Sequence, residues 1–176
     1  MILIVGLGNP GREYENTYHN MGFKAIDELS IRNGFLLTKQ KCKSLIYEGQ
    51  ILGQKVVVAK PQTYMNLSGE AVIELCSKFK PDKIFIIYDD RDIEKGSFRF
   101  REVGSAGTHN GMRNIVNLMG TQSIPRIRIG IKPENQVYDL ADYVLSKCKG
   151  ESLEKIEDAI DKAVDFLEEQ IKNFKA

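Results

Sequence analysis

Ile2-Leu3-Ile4-Val5-Gly6-Leu7 is an uninterrupted apolar run that stops at Gly8-Asn9-Pro10-Gly11. It lacks the alternation of a half-exposed strand, so it reads as a strand covered on both faces that feeds a tight turn and delivers Asn9 to a loop. Ile84-Phe85-Ile86-Ile87-Tyr88 repeats the pattern and runs straight into Asp89-Asp90, which puts carboxylates at a strand's C-terminal end. Strands buried on both sides require helices over both faces, the mark of an α/β sheet.

The remaining segments supply those helices and make the sheet mixed. A helix of about Met21 to Arg32 ends at Asn33-Gly34 in the manner of a C-cap, with His19 near its start. Leu45 to Ile51 and Lys55 to Lys60, separated by Leu52-Gly53-Gln54, read as an antiparallel hairpin that Pro61 closes. Ser68 is suited to N-cap a helix whose Val72, Leu75, Cys76 and Phe79 share one face, leaving Asn66 just before its N-terminus. Ser97 to Arg101 alternates, so Arg99 and Arg101 should project opposite Phe98 and Phe100. A glycine-rich loop, Gly104 to Gly111, leads into a helix with Met112, Ile115, Val116 and Met119 on one stripe. Arg126 to Lys132 alternates basic residues with isoleucine, and from Leu153 to Phe174 a long acidic amphipathic helix closes the chain. The expectation is one domain over residues 1–176, a mixed β-sheet with helices on both faces. In such sheets ligands bind beyond the carboxyl ends of the strands, which gathers Asn9, His19, Asp89 and the 104–111 loop on one rim.

Composition removes several classes. The chain is 42% hydrophobic and 28% charged, and it lacks the ~18-residue apolar run of a membrane span. Its N-terminus begins a strand instead of a basic-then-apolar leader, so a cytoplasmic protein is expected. Cys42, Cys76 and Cys148 are odd in number and form no Cys-x-x-Cys pair, consistent with reduced packing residues. His19 and His109 are the only histidines and stand at no metal-ligand spacing, so no metal is expected. Net charge is +1 overall, but residues 95–133 carry +6 and residues 134–176 carry −5. A localised basic stripe suits a polyanion such as nucleic acid, although charge alone does not separate that from a solvated face.

Three motif matches fail on context. Gly6-Leu7-Gly8-Asn9-Pro10-Gly11 fits G-x-G-x-x-G, yet a polar stretch follows where a dinucleotide-binding turn opens its helix, and no acidic residue ends a second strand about 20 residues on. The turn is then either structural or a means of aiming Asn9. Gly104 to Gly111 lacks the Gly-Lys-Ser/Thr of a phosphate-binding loop, and Asp89, Asp90 and Asp92 lack the glycine and distal glutamate of a calcium loop. A carboxylate that fixes the tautomer of a histidine is the better use of Asp89. His19 taken alone reads equally as structural or catalytic.

Taken together, Gly6 to Gly11 (GLGNPG), Tyr14 to Gly22 (YENTYHNMG), Lys60 to Gly69 (KPQTYMNLSG), Tyr88-Asp89-Asp90 and Gly104 to Gly111 (GSAGTHNG) resemble the bacterial peptidyl-tRNA hydrolases. Arg126 to Lys132 and Asp142-Tyr143-Val144-Leu145 also fall in the family's order, so the resemblance spans almost the whole chain. It implies a single α/β domain with a twisted mixed sheet and an enzyme that cleaves the ester joining peptide to tRNA, freeing tRNA from peptidyl-tRNAs dropped from or stalled on ribosomes. No metal or organic cofactor is implied. By resemblance His19 is the general base, Asp89 the carboxylate supporting it, and Asn9 the residue that separates blocked from free aminoacyl groups. Tyr14, Tyr64, Asn66 and Asn110 match tRNA-contacting positions, with Asn66 and Asn110 beside the chemistry. Arg101 and Arg128, with Arg99 nearby, fall where the family presents basic residues to acceptor-stem phosphates. The implied setting is a monomer whose partners are peptidyl-tRNA and the large ribosomal subunit. Two departures stand out: Thr108 occupies a position usually glycine, and Arg91 one usually apolar, which puts loop conformation and tRNA affinity in question. The rival reading is a tRNA-binding relative without turnover; a nicotinamide-dependent oxidoreductase is disfavoured by the failed fingerprint.

Overall fold

In the computed structural model of residues 1–176 the chain lays down β1 (Ile2–Gly6), α1 (Met21–Asn33), β2 (Lys39–Lys41), β3 (Ser44–Ile51), β4 (Gln54–Pro61) and α2 (Ser68–Phe79). β5 (Lys83–Glu94), β6 (Phe98–Arg101), α3 (Asn110–Met119), β7 (Arg126–Lys132), α4 (Leu140–Val144) and α5 (Gly150–Lys172) follow. The strands form one sheet in the order β2-β3-β4-β1-β5-β7-β6. β4, β1, β5 and β7 run parallel, while β2 and β3 at one edge and β6 at the other are antiparallel to their neighbours.

The apolar run that begins the chain is central because both its faces are covered. Ile2 and Ile4 join a core with Ile26 and Leu29 of α1 and Ile160 and Leu167 of α5. Leu3 and Val5 point the other way, into a second core with Val72 and Leu75 of α2 and Met112 and Ile115 of α3. Each side chain that leaves water completely contributes about 2 kcal/mol, which is why this strand carries no polar residue where a half-exposed one would alternate. From β1 the chain crosses by α1 to reach β4 on one side, then returns by α2 to reach β5 on the other. The carboxyl end of β1 therefore opens at the reversal of strand order, the crevice where α/β sheets bind ligands.

Close approach of α1 to that crevice depends on Gly22. A Cβ there would fall 2.6 Å from the backbone N and O of Leu7 and against the carbonyl oxygen of Ile87. With no side chain, the first turn of α1 seats on the ends of β1 and β5, and the Phe23 N–H donates to the Leu7 carbonyl at 3.2 Å.

Most expected elements are present, with five differences. Ser68 is the first residue of α2, not its cap: its hydroxyl donates back to the Met65 carbonyl at 2.7 Å. The hairpin turn is two residues, Leu52-Gly53, both at positive φ, and Gln54 already belongs to β4. β5 does not stop at Tyr88 but continues to Glu94, so Asp89 and Asp90 still pair with β7 although they lie beyond the end of β1. β2 and α4 lack a periodic signal long enough to register. Arg126, on the basic side of β7, is fully buried, because β7 is internal to the sheet and the loop carbonyls of Ser105, Gln122 and Ile124 enclose its guanidinium. No helix is long and apolar enough to cross a membrane.

Candidate active site

His19 is brought to the rim by a 3₁₀ turn, Tyr18–Asn20, that runs directly into α1. Its Nδ1 lies 2.9 Å from Asp89 Oδ2, and both residues are buried. An ionised carboxylate only accepts, so the ring donates from Nδ1 and its Nε2 carries the lone pair. Burial by itself pulls His19 toward the neutral form, but the negative charge and hydrogen bond of Asp89 outweigh it, and the pKa of His19 is raised above its ordinary 6.5. Burial by itself would raise Asp89, yet the adjoining imidazoles hold its carboxyl well below the usual carboxylate range.

The second oxygen of Asp89 is occupied as well. His109 Nε2 approaches Oδ1 at 3.1 Å, while its Nδ1 accepts the Met112 N–H at 3.0 Å and caps α3. The cluster of two imidazoles and one carboxylate has the composition of a metal site. Its donor chemistry does not fit one: the nitrogens that face Asp89 carry protons, and the lone pair of His109 Nδ1 is already taken.

Asn9 arrives from the other side, at the turn that ends β1. Its N–H donates to Asn20 Oδ1 at 2.8 Å, and Asn20 Nδ2 donates to its carbonyl at 2.9 Å. Its side-chain oxygen accepts the Met65 N–H at 2.7 Å. With Oδ1 anchored on Met65, the two Nδ2 protons of Asn9 are unclaimed, so this side chain offers donors to a ligand. The Met65 contact also holds Tyr64 at φ 63 and ψ 159, a region that costs a non-glycine residue about 1–3 kcal/mol. Tyr64 is half exposed and stands edge-on to Tyr14, with ring centroids 6.3 Å apart.

Asn66 lies in the Met65–Leu67 turn that packs on α3, and Asn110 opens α3; both side chains are exposed. A cavity of about 170 Å³ is lined by His19, Asp89, His109, Asn110, Leu140 and Val144, and a second cleft of about 490 Å³ begins at Asn9 and Asn20 and is bordered by Arg12, Lys24 and Lys60. His19, Asp89 and Asn110 are thus gathered on one cavity, while Asn9 opens on the neighbouring cleft and is tied to it through Asn20, the residue after His19.

The basic residues divide. Arg99 and Arg101 are exposed on the edge strand β6, opposite Phe98 and Phe100 as their alternation predicts. Arg128, directly across from Arg99, is half-buried and donates to Asp90 at 3.1 Å, so it is not the free surface cation its position suggested. Arg126, across from Arg101, donates to the carbonyls of Ile124, Ser105 and Gln122 at 2.8–3.0 Å and ties the root of the glycine-rich loop to β7. Like charges facing each other across strands disfavour the sheet. The carbonyls around Arg126 and the carboxylate of Asp90 offset that repulsion, and of the four arginines only Arg99 and Arg101 are exposed. The two departures fall at different places. Thr108 is exposed and Gly107 takes the positive φ in that loop, so no glycine is required at 108; Arg91 borders the cavity of His19.

Sequence reasoning passed over His109, Asn20 and Arg126. A histidine three residues before a helical amide is a weak capping signal, and neither the pairing of two asparagines nor the interior of β7 leaves a mark in spacing.

A family model described as peptidyl-tRNA hydrolase matches residues 3–176. A peptidyl-tRNA hydrolase of Chloroflexus aurantiacus is 48% identical over 171 residues, covering 96% of this chain and 91% of the relative. One of Carboxydothermus hydrogenoformans is 49% identical over 170 residues, covering 95% and 90%. The crystal structure of peptidyl-tRNA hydrolase from Acinetobacter baumannii superposes with a TM-score of 0.90 at 33% identity, covering 98% of this chain and 88% of that one.

Proposed function

This chain belongs to the peptidyl-tRNA hydrolase family, and from that premise we propose how its residues cleave the ester between peptide and tRNA. The observation that carries the reading is the orientation of His19: Nδ1 is committed to Asp89, which leaves Nε2 as the base at the cavity. His19 takes a proton from a water, the hydroxide attacks the ester carbonyl, and the imidazolium returns the proton to the ribose oxygen as the ester bond breaks. Free peptide acid and tRNA leave. Asn110, at the positive end of α3, is suited to donate to the developing oxyanion, with Asn66 on the neighbouring turn orienting substrate or water.

Selectivity follows from Asn9. Its free donors match the acyl carbonyl of a blocked amino group and repel a free ammonium, which has nothing to accept with. The exposed ring of Tyr64 and the half-buried ring of Tyr14 offer surface on which a terminal base stacks, and Arg99 and Arg101 offer charge to the acceptor-stem phosphates, with Arg128 behind them. A cytoplasmic monomer that clears peptidyl-tRNA dropped from or stalled on ribosomes, with the large subunit as a further partner, belongs to the same reading; three free cysteines agree with a reducing compartment.

The test is cleavage of N-acetyl-aminoacyl-tRNA against the same tRNA carrying a free amino acid. Only the blocked ester should be cut, and His19→Ala should lower turnover by roughly 10² to 10⁴ while the protein stays folded. Near-normal turnover by the folded variant removes His19 from the role, and no cleavage by the folded wild type leaves a tRNA-binding relative.

A further inference from the structure

We propose that His109 is a positioning residue that holds Asp89 and moderates the pull of that carboxylate on His19. The kinetic arm of this inference rests on His19 being the base; its structural arm does not.

His109 has a fixed tautomer for a reason independent of Asp89. A backbone N–H only donates, so the contact from Met112 at 3.0 Å requires a lone pair on Nδ1 and puts the ring proton on Nε2. That proton points at Asp89 Oδ1, and His19 takes Oδ2. Each oxygen of the buried carboxylate is thus held by a different ring, the two rings 5.0 Å apart. A carboxylate that spends one oxygen on a neutral donor offers less negative charge to its other partner. His109 therefore restrains two variables, the rotation of Asp89 and the stabilisation of the His19 cation.

The other charged groups around His19 are accounted for. From β5 come Asp90, paired with Arg128, and Arg91 and Asp92 at the cavity border. From α1 comes Lys24, engaged with Asn16 and Glu157. Lys95 lies over the Tyr18 and Tyr143 rings, and α4 lines the cavity with Leu140, Ala141 and Val144. Among these, only His109 touches the same carboxylate as His19.

His109→Asn separates this role from helix capping. Asparagine is among the best N-caps, and its amide oxygen accepts the Met112 N–H, but its shorter side chain cannot also reach Asp89. The variant also leaves His19 as the sole histidine, so one imidazole resonance titrates by NMR. Expected are a folded protein, a His19 midpoint higher by roughly one unit, and an acid limb of kcat/KM displaced the same way. His109→Ser, a second capping residue, should do the same. A midpoint that does not move in either folded variant overturns the inference and reduces His109 to a cap. A midpoint that moves while the acid limb stays upholds it, and instead removes His19 from the proposed base role.

Discussion

Asn20 grips Asn9 by the backbone, with hydrogen bonds of 2.8 and 2.9 Å running in opposite directions between the side-chain amide of one and the peptide groups of the other. The residue next to His19 thereby fixes the height of the turn that presents the Asn9 side chain. Base and selecting donor sit on one frame. Breaking it should misplace Asn9 without touching any reacting atom.

Asn20→Ala is expected to lose about 2–3 kcal/mol of stability, from two buried hydrogen bonds at about 1 kcal/mol each and an orphaned Asn9 N–H. Displacement of a positioning group by about an ångström costs roughly 10²-fold, so kcat/KM on blocked aminoacyl-tRNA should fall about 10- to 100-fold. Denaturant unfolding and steady-state kinetics read the two effects. A destabilised protein with wild-type kinetics would make Asn20 a structural clamp only.

Asn9→Asp keeps an oxygen for the Met65 N–H but exchanges the free donors for a carboxylate oxygen. Cleavage of the N-acetylated ester should drop by at least about 10-fold, the equivalent of one lost hydrogen bond near 1.4 kcal/mol. Discrimination against the free aminoacyl ester should narrow, because a carboxylate accepts from an ammonium. Unchanged discrimination, with both substrates assayed side by side, would place selectivity elsewhere.

Asp89 raises His19 and is itself held low, so their pH signatures have opposite signs. His19 contributes stability that is complete below its unfolded value near 6.5 and is lost as pH rises through its raised folded value. Asp89 contributes stability present above its unfolded value near 3.9 and lost as pH falls toward its depressed folded value. Asp89→Asn should therefore lower turnover by roughly 10² to 10⁴, move the acid limb of kcat/KM to lower pH, and flatten the loss of stability that sets in as pH rises from the ordinary histidine value through the raised value of His19. An acid limb that stays where the wild type has it would detach Asp89 from the titration of His19.

How much of this was legible depended on range. Ile2 to Leu7 announced a doubly covered strand because burial on both faces is a local demand, and the arginine alternation of β6 did the same for one exposed face. The meeting of His19 with Asp89, seventy residues on, is a product of the crossover and left only separate motifs whose joint resemblance to a family connected them. Arg126 and Arg128 misled for the converse reason. Alternation reports two faces of a strand, but whether a basic face meets water is decided by what packs on it, and here loop carbonyls took Arg126 and Asp90 took Arg128. His109 stayed hidden because one side chain serves two partners, a backbone amide of its own helix and a carboxylate from β5.

Arg99 and Arg101 remain the exposed cations of that patch, two strands from β5 and so about 10 Å from Tyr88. Removing them should weaken attraction to phosphates while leaving the chemistry at His19 intact. Arg99→Ala and Arg101→Ala are each expected to raise KM for the blocked aminoacyl-tRNA, leave kcat within about twofold, and reduce the slope of log KM against log salt by about 1. Arg128→Ala should differ, because it also strands Asp90 beside the site: kcat and stability should fall together with affinity. Salt titrations of KM for the three variants decide it. Equal salt slopes in Arg99→Ala, Arg101→Ala and wild type would mean that phosphate contacts lie off this strand.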